Sequence, residues 1–530
     1  MTRQLSSRHH LLILITILIM VLLPAACADE PELLPTPIMP PPNLDDTDGS
    51  SAGEETADNP AEAVEAETAV SPTPSPDANI TATPTLVPTP TLLPTATPVT
   101  DPALSPMSTA PLPAVSHDLV FLSDGALQMW NHNNGRLETL YAGSADADAA
   151  RETPFTQHVG DIIRFDVSAD GNRIVAVRLT HSETLTPTVT GDEPPVGIHY
   201  TEYELLFLDV VSKESWTLIP TVTDLRDVAI SPNQQQVAFI GSSLTHQEAP
   251  NADALPENAQ VYVIGTPDGT VRTIGPCTEF CGGITWHPSS DFFTWTDSEA
   301  LWLFNLSGSE PHTLLANQTS DPASTQVFQG ISWAQNGRLF LLWQQAWEGG
   351  SRVVLDVPTG QVIPVPDSFV YADPFPTEVS WMQDDRLLIA RSTIGSSRSA
   401  ALELWRVNVE EGRLVLEEST QPDGPFSIAG GVHLQDGRFA YALLNQDDPQ
   451  GSGLYLQISL TELPERANGL IPAFIAPDVF WSPDGSGAVV VQNGYVLYAP
   501  ANGEGLWDGT AVFGSRARDF VWLPPGNAPR

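Results

Sequence analysis

Between residues 167 and 526 the chain repeats one short pattern eight times: an apolar residue, often Trp, then a turn rich in Ser, Pro, Asn, Asp and Gly, then an apolar run. The copies are Val167-Ser168-Ala169-Asp170-Gly171, Ile230-Ser231-Pro232-Asn233, Trp286-His287-Pro288-Ser289, Trp333-Ala334-Gln335-Asn336-Gly337, Trp381-Met382-Gln383-Asp384, His433-Leu434-Gln435-Asp436-Gly437, Trp481-Ser482-Pro483-Asp484-Gly485 and Trp522-Leu523-Pro524-Pro525-Gly526. The residue before each turn recurs at spacings of 63, 56, 47, 48, 52, 48 and 41. A period of about 40–50 residues filled with short strands is the pattern of propeller blades. The turn residues supply positive or pre-set φ values for a tight hairpin. The Trp that precedes the turn in several blades is expected to pack between blades.

The segment Asp118–Gly143 carries three strands without a motif strand, and Phe520-Val521-Trp522 is a motif strand with no blade after it. Joined, they complete one blade. The expectation is all-β: an eight-bladed β-propeller closed by the C-terminal strand, with seven blades as the alternative. The complete copy at Trp481–Gly485 and the partial copies at Ile230 and Val167 resemble the TolB-like, WD40-like (PD40) propeller repeats, a likeness running over nearly all of 117–530. That resemblance implies the fold and contacts with envelope proteins. It names no partner, because propellers host many functions.

The first residues read as an export signal. Arg3 and Arg8 precede an apolar run, Leu11–Leu23, that is shorter than the ~20 residues a spanning helix needs. Pro24-Ala25-Ala26 before Cys27 resembles the lipobox of bacterial lipoproteins, with Leu23 one place before the usual aliphatic position. The expected organisation is a signal peptide over 1–26, lipid attachment at Cys27, a linker over 27–115 and the propeller over 116–530. Residues 28–115 hold 19 of the 49 prolines, and no Lys or Arg occurs between Arg8 and Arg136. Such composition favours a disordered stalk, acidic first and then Pro/Thr-rich. With Cys27 lipidated, Cys277 and Cys281 remain; an oxidising compartment favours a disulfide, with a metal pair or free thiols as alternatives. The expected location is outside the cytoplasm on a membrane anchor, at the cell surface or in the periplasm.

Formal net charge is −43, from 22 basic and 65 acidic residues. No nucleic-acid partner is expected for such a chain, since phosphate binding needs basic patches. No Gly-x-Ser-x-Gly elbow, P-loop or dinucleotide fingerprint occurs, and the chain is expected not to be an enzyme. No cofactor and no metal are expected. His158, His181, His199 and His246 lack metal-ligand spacing, and the loop carboxylates Asp192, Glu193, Asp373, Asp423, Asp447 and Asp448 lack a calcium-loop pattern.

Strand parity places the site. With the strands of a blade named a to d from the centre outwards, b–c and d–a connections emerge on one face and a–b and c–d turns on the other. The long insertions, 181–200, 242–258, 344–352, 392–401 and 444–453 between b and c, and 143–161, 367–378 and 421–430 between d and a, all fall on the first face. Long loops on a rigid scaffold are where function collects. Tyr200, Trp347, Phe369, Tyr371, Phe375 and Phe426 are the candidate binding residues there, since exposed aromatics anchor partners. The expectation is a monomeric, non-catalytic binding scaffold for an envelope protein or cell-wall glycan, held to the membrane through its N-terminal lipid. A propeller polysaccharide hydrolase or lyase, and an envelope sensor domain, are the alternatives.

Overall fold

The computed structural model describes residues 112–144, 157–186, 197–246, 259–266, 268–319, 325–346, 349–371, 378–391, 400–424, 426–445, 450–470, 477–492, 494–503, 505–514 and 516–524. The signal peptide, Cys27 and the stalk up to residue 111 therefore lie outside the described residues. The strands of the described residues form eight antiparallel sheets arranged as a propeller. In the order a to d, blade 2 is Ile162–Val167, Arg173–Leu185, Ile198–Asp209 and Ser215–Thr223. Blade 3 is Asp227–Ile230, Gln236–Gly241, Ala259–Gly265 and Val271–Cys277, and blade 4 is Gly282–Trp286, Phe292–Thr296, Ala300–Asn305 and His312–Ala316. Blade 5 is Val327–Trp333, Leu339–Ala346, Gly349–Asp356 and Gln361–Pro364, with Val370–Tyr371 paired to its third strand. Blade 6 is Glu378–Trp381, Arg386–Arg391, Ala401–Asn408 and Arg413–Thr420; blade 7 is Ser427–His433, Phe439–Leu444, Gly453–Gln457 and Glu465–Gly469. Blade 8 is Asp478–Trp481, Gly487–Gln492, Tyr495–Pro500 and a two-residue outer strand, Trp507–Asp508.

Blade 1 is built from both ends of the ring. Arg518–Trp522 is its inner strand, followed by Leu119–Ser123, Ala126–Asn131 and Arg136–Tyr141. This is the closure expected from the sequence. It covers the edge of Leu119–Ser123 that would otherwise be free to pair with another chain.

The repeated turn is a hydrogen-bonded clamp. Ser482 Oγ donates to Asp484 Oδ1 (2.9 Å) and accepts from the Gly487 N–H (3.2 Å), while Asp484 Oδ1 accepts from the Ser486 N–H (3.1 Å). Ser231 and Asn233 repeat the arrangement, as do Ser168 and Asp170. The fourth residue of the turn takes positive φ, +75° at Gly171 and +68° at Gly485, which glycine adopts without steric cost. At Gly485 a Cβ would also lie 2.4 Å from Leu434 Cδ1.

Eight apolar clusters fill the spaces between adjacent blades, one to each interface. Successive side chains of a strand point to opposite faces, and here both faces are covered. Leu119 and Phe121 pack toward blade 8, whereas Val120 and Leu122 pack toward blade 2. The b strands therefore read as continuous apolar runs. The motif tryptophans sit in these interfaces and add a polar link in three of them. Trp286 Nε1 donates to the Ala229 carbonyl (3.0 Å), Trp381 to Ser332 (3.0 Å) and Trp522 to Phe480 (2.8 Å), each reaching the inner strand of the preceding blade.

Candidate functional site

Two of the insertions expected as loops are in part sheet. In blade 2 the b and c strands stay paired out to Leu185 and Ile198, and in blade 5 out to Ala346 and Gly349, so each projects as a hairpin from the long-loop face. In blade 5 the cause is local. Trp343 lies over Gly350, where a Cβ would come within 2.2 Å of the ring, and the Arg352 guanidinium stacks on the same ring at 5.2 Å. The absence of a side chain at Gly350 makes room for the indole.

The blade 2 hairpin gathers several sequence candidates around one carboxylate. Glu202 is buried; it accepts from the Tyr200 hydroxyl (2.5 Å) and meets His246 Nδ1 of blade 3 (2.8 Å). The His181 ring lies 5.8 Å from that of Tyr200, and His199 Nε2 lies 3.5 Å from Ser182 Oγ. Burial pushes the Glu202 pKa up, but the hydrogen bonds from Tyr200 and His246 outweigh it and hold the group below its ordinary value. His158 stands apart, with its N–H donated to Asp161. Among the described residues no three His, Cys, Asp or Glu side chains are placed to hold a metal ion.

The other candidates separate. Phe369 is exposed, beside Ser368, whose hydroxyl oxygen accepts from the Arg352 N–H (2.9 Å). Phe426 is buried between blades 6 and 7, on the wall of a cleft of 460 Å³ shared with Tyr455, Leu460 and Asp423. The Tyr371 backbone pairs with Gly349, and its side chain lies outside the described residues. Trp347, Phe375, Asp192, Glu193, Asp373, Asp447 and Asp448 also lie outside them. Cys277 and Cys281 are joined in a disulfide that closes the connection from blade 3 to blade 4 on the long-loop face. It presents Phe280, 56% exposed and at φ +57°.

Sequence reasoning missed the charged residues at the start of the inner strands. Three places before the motif residue stand Arg164, Asp227, Glu378, Asp478 and Asp519, which aligning the repeats by their turns would have revealed. They open toward the long-loop face, where the d–a connections arrive. Two of these carboxylates tie one blade to the next. Asp227 Oδ2 accepts from the Ile284 N–H (2.8 Å) and Glu378 Oε2 from the Gly431 N–H (3.1 Å). Asp166, one place before its motif residue, does the same with Ile230. Burial raises the pKa of Asp166 to about 6, against the hydrogen bonds from Ile230 and Val167. Burial also raises Glu378, and Asp478 adds to that; burial alone raises Asp478.

The class defined by this geometry is an eight-bladed β-propeller with one elaborated face. No protein-family model matches the chain. No curated protein matches it either. Solved structures do. A dipeptidyl peptidase 4 from Porphyromonas gingivalis aligns at 11% identity with a TM-score of 0.46, over 76% of this chain and 61% of the other. An acylaminoacyl peptidase from Pyrococcus horikoshii aligns at 14% identity and TM-score 0.35, over 70% and 53%. TolB from Acinetobacter baumannii aligns at 16% and 0.29, over 66% and 83%. The chain thus spans between about half and three-fifths of the length of these two peptidases. Likeness at these identities concerns the fold alone. The expectation that the chain is not an enzyme is corrected to a narrower statement: the two peptidases are enzymes that carry a propeller, so this fold does not exclude an activity. The physical reason is that a local motif search cannot see catalytic groups assembled from several blades or supplied by a second domain.

Proposed function

We propose that the chain is an extracytoplasmic lipoprotein, anchored through Cys27 after loss of residues 1–26. In this reading residues 27–115 form a stalk, and the propeller over 116–530 binds an envelope protein or cell-wall glycan with its long-loop face. One observation carries the reading of the face. The two extended hairpins and the disulfide-closed loop emerge on one face, while the chain enters the propeller on the other. Ser116 Oγ lies 2.8 Å from Ser486 Oγ in the a–b turn of blade 8, and His117 Nδ1 lies 3.7 Å from Asp484. A tether that joins at the short-turn face leaves the elaborated face free for a partner. The pair Cys277–Cys281 suits an oxidising compartment.

The test is crosslinking of the full-length protein in membranes of its own host, read by mass spectrometry. Crosslinks from one partner that map to 198–203, 242–246 and 365–371 support the reading. A partner mapped to the a–b turns, or a chain recovered wholly in the soluble cytoplasmic fraction, overturns it.

A further inference from the structure

The blade 5 hairpin holds an arginine without a counter-ion. Most arginines of this acidic chain meet a carboxylate: Arg164 meets Asp227 (2.7 Å), Arg391 meets Glu403 (2.8 Å), and Arg173 and Arg178 meet Asp209 and Glu204. Arg352 does not. Its Nη1 is buried with no hydrogen-bond partner, and its side chain forms no ion pair among the described residues. An unmatched charge and an unmade hydrogen bond in a dehydrated place are both costly. Burial lowers the pKa of this arginine, and the acid close enough to oppose that is Glu378, whose Oε2 is already taken by the Gly431 N–H.

The side chain is nevertheless held in place. Trp343, its cross-strand partner, lies under the guanidinium at 5.2 Å. The backbone of Arg352 is held by Ser368 Oγ, which accepts from its N–H (2.9 Å) and shares its own proton between the carbonyls of Val365 (2.9 Å) and Arg352 (3.2 Å). Ser368 in turn places the exposed ring of Phe369 at the same end of the hairpin. With Nη1 enclosed, the edge of the guanidinium left to a ligand is the one carrying Nε and Nη2; backed by an indole, with an apolar ring nearby, that edge is suited to a planar anion taken bidentately.

We propose that Arg352 is a ligand-binding residue for a single carboxylate group, with Trp343 and Ser368 as its positioning residues. The proposal rests on the assignment of the binding role to the long-loop face and names the chemistry recognised there. A single carboxylate fits better than a polyanion, because the net charge of −43 repels multiply charged ligands at long range.

The probe is acetate, added to the full-length protein at constant pH and ionic strength with chloride as the balancing ion. A ligand that binds the native state raises the unfolding midpoint by mass action. The expected result is a saturable rise with acetate, at least tenfold weaker in apparent affinity in Arg352→Met. If Arg352→Met does not fold, the Nε–H resonance of Arg352 in the parent protein is the second readout, and it should move with acetate and not with chloride. Equal midpoint responses in parent and variant, or an unmoved resonance, overturn the proposal. So does a stronger response to inorganic phosphate or polygalacturonate than to acetate. Because acetate binding is read without any partner, its failure leaves the crosslinking result standing, and the reverse holds too.

Discussion

Asp166 Oδ2 accepts a hydrogen bond from the backbone N–H of Ile230 at 2.8 Å, which ties the inner strand of blade 2 to that of blade 3. Asp227 repeats the tie from blade 3 to Ile284 of blade 4. Each carboxylate satisfies a backbone donor that faces the channel and has no strand partner there. With Glu378 and Gly431, such links join blade 2 to 3, 3 to 4 and 6 to 7 beside the apolar clusters.

The Asp166 tie has a pH signature. Its folded pKa, about 6, stands above the ordinary 3.8 because burial disfavours the charge. The protonated form is thus favoured in the fold. Its contribution to stability is fully present below about pH 4 and is lost as pH rises through 6. Asp166→Asn removes the charge and keeps an acceptor for Ile230. The stability difference between Asp166→Asn and the parent should be near its minimum at pH 4 and grow in the variant's favour toward pH 7.5. At one pKa unit per ~1.4 kcal/mol the gain is on the order of 2 kcal/mol. Denaturant midpoints across that range check it; a pH-independent difference would refute the assignment.

The indole links carry a second prediction. Trp381→Phe keeps one aromatic ring in the blade 5–blade 6 interface and loses the pyrrole half of the indole with its bond to the Ser332 carbonyl, a cost of about 1–2 kcal/mol. Trp381→Ala also opens a cavity and should cost about 3–5 kcal/mol. Urea unfolding of the two variants distinguishes an interface role from a surface one, for which the two substitutions would cost the same small amount.

Closure of the ring is testable at Phe520. Its ring stacks on Phe121 at 5.1 Å and lies 5.5 Å from Phe480, so it joins the C-terminal strand to blades 1 and 8 together. Phe520→Ala should cost about 3–5 kcal/mol. Removal of residues 515–530 should go further and expose the edge of Leu119–Ser123, giving a chain that aggregates on size-exclusion chromatography. A truncated chain that stays monomeric and cooperative would show that this strand is dispensable.

Much of this ring was legible in the sequence because its turns are local. Ser482, Asp484 and Gly485 clamp one another within five residues, and a spacing of 41 to 63 residues places such clamps in successive blades. The closing strand was legible too, since a motif strand without a following blade needs a blade without a motif strand. The site was much less so. Phe426 sits in a loop by sequence yet is buried, because the d–a connection folds inward over Tyr455. The residues 344–352 read as an insertion, yet they pair through Gly349 and Gly350. The set around Glu202 joins residues of blades 2 and 3 separated by 44 positions, a pairing that depends on register and leaves no trace in local spacing.

That set gives the last prediction, and it concerns the elaborated face itself. Glu202 is held below its ordinary pKa by Tyr200 and His246, after burial has pushed the other way. Its contribution to stability is present above about pH 4.5 and is lost as pH falls through the depressed value. Glu202→Gln keeps the shape and removes the charge that both neighbours address. A charge-assisted hydrogen bond is about twice as strong as a neutral one, so the loss should appear as local opening before global unfolding. Amide exchange at 198–203 and 242–246 should quicken by roughly tenfold, the equivalent of ~1.4 kcal/mol, while exchange in blades 5 to 8 stays unchanged. If exchange instead rises evenly around the ring, Glu202 supports the whole propeller and not the long-loop face. If exchange does not change anywhere, the contact between Glu202 and His246 does not hold the hairpin to blade 3.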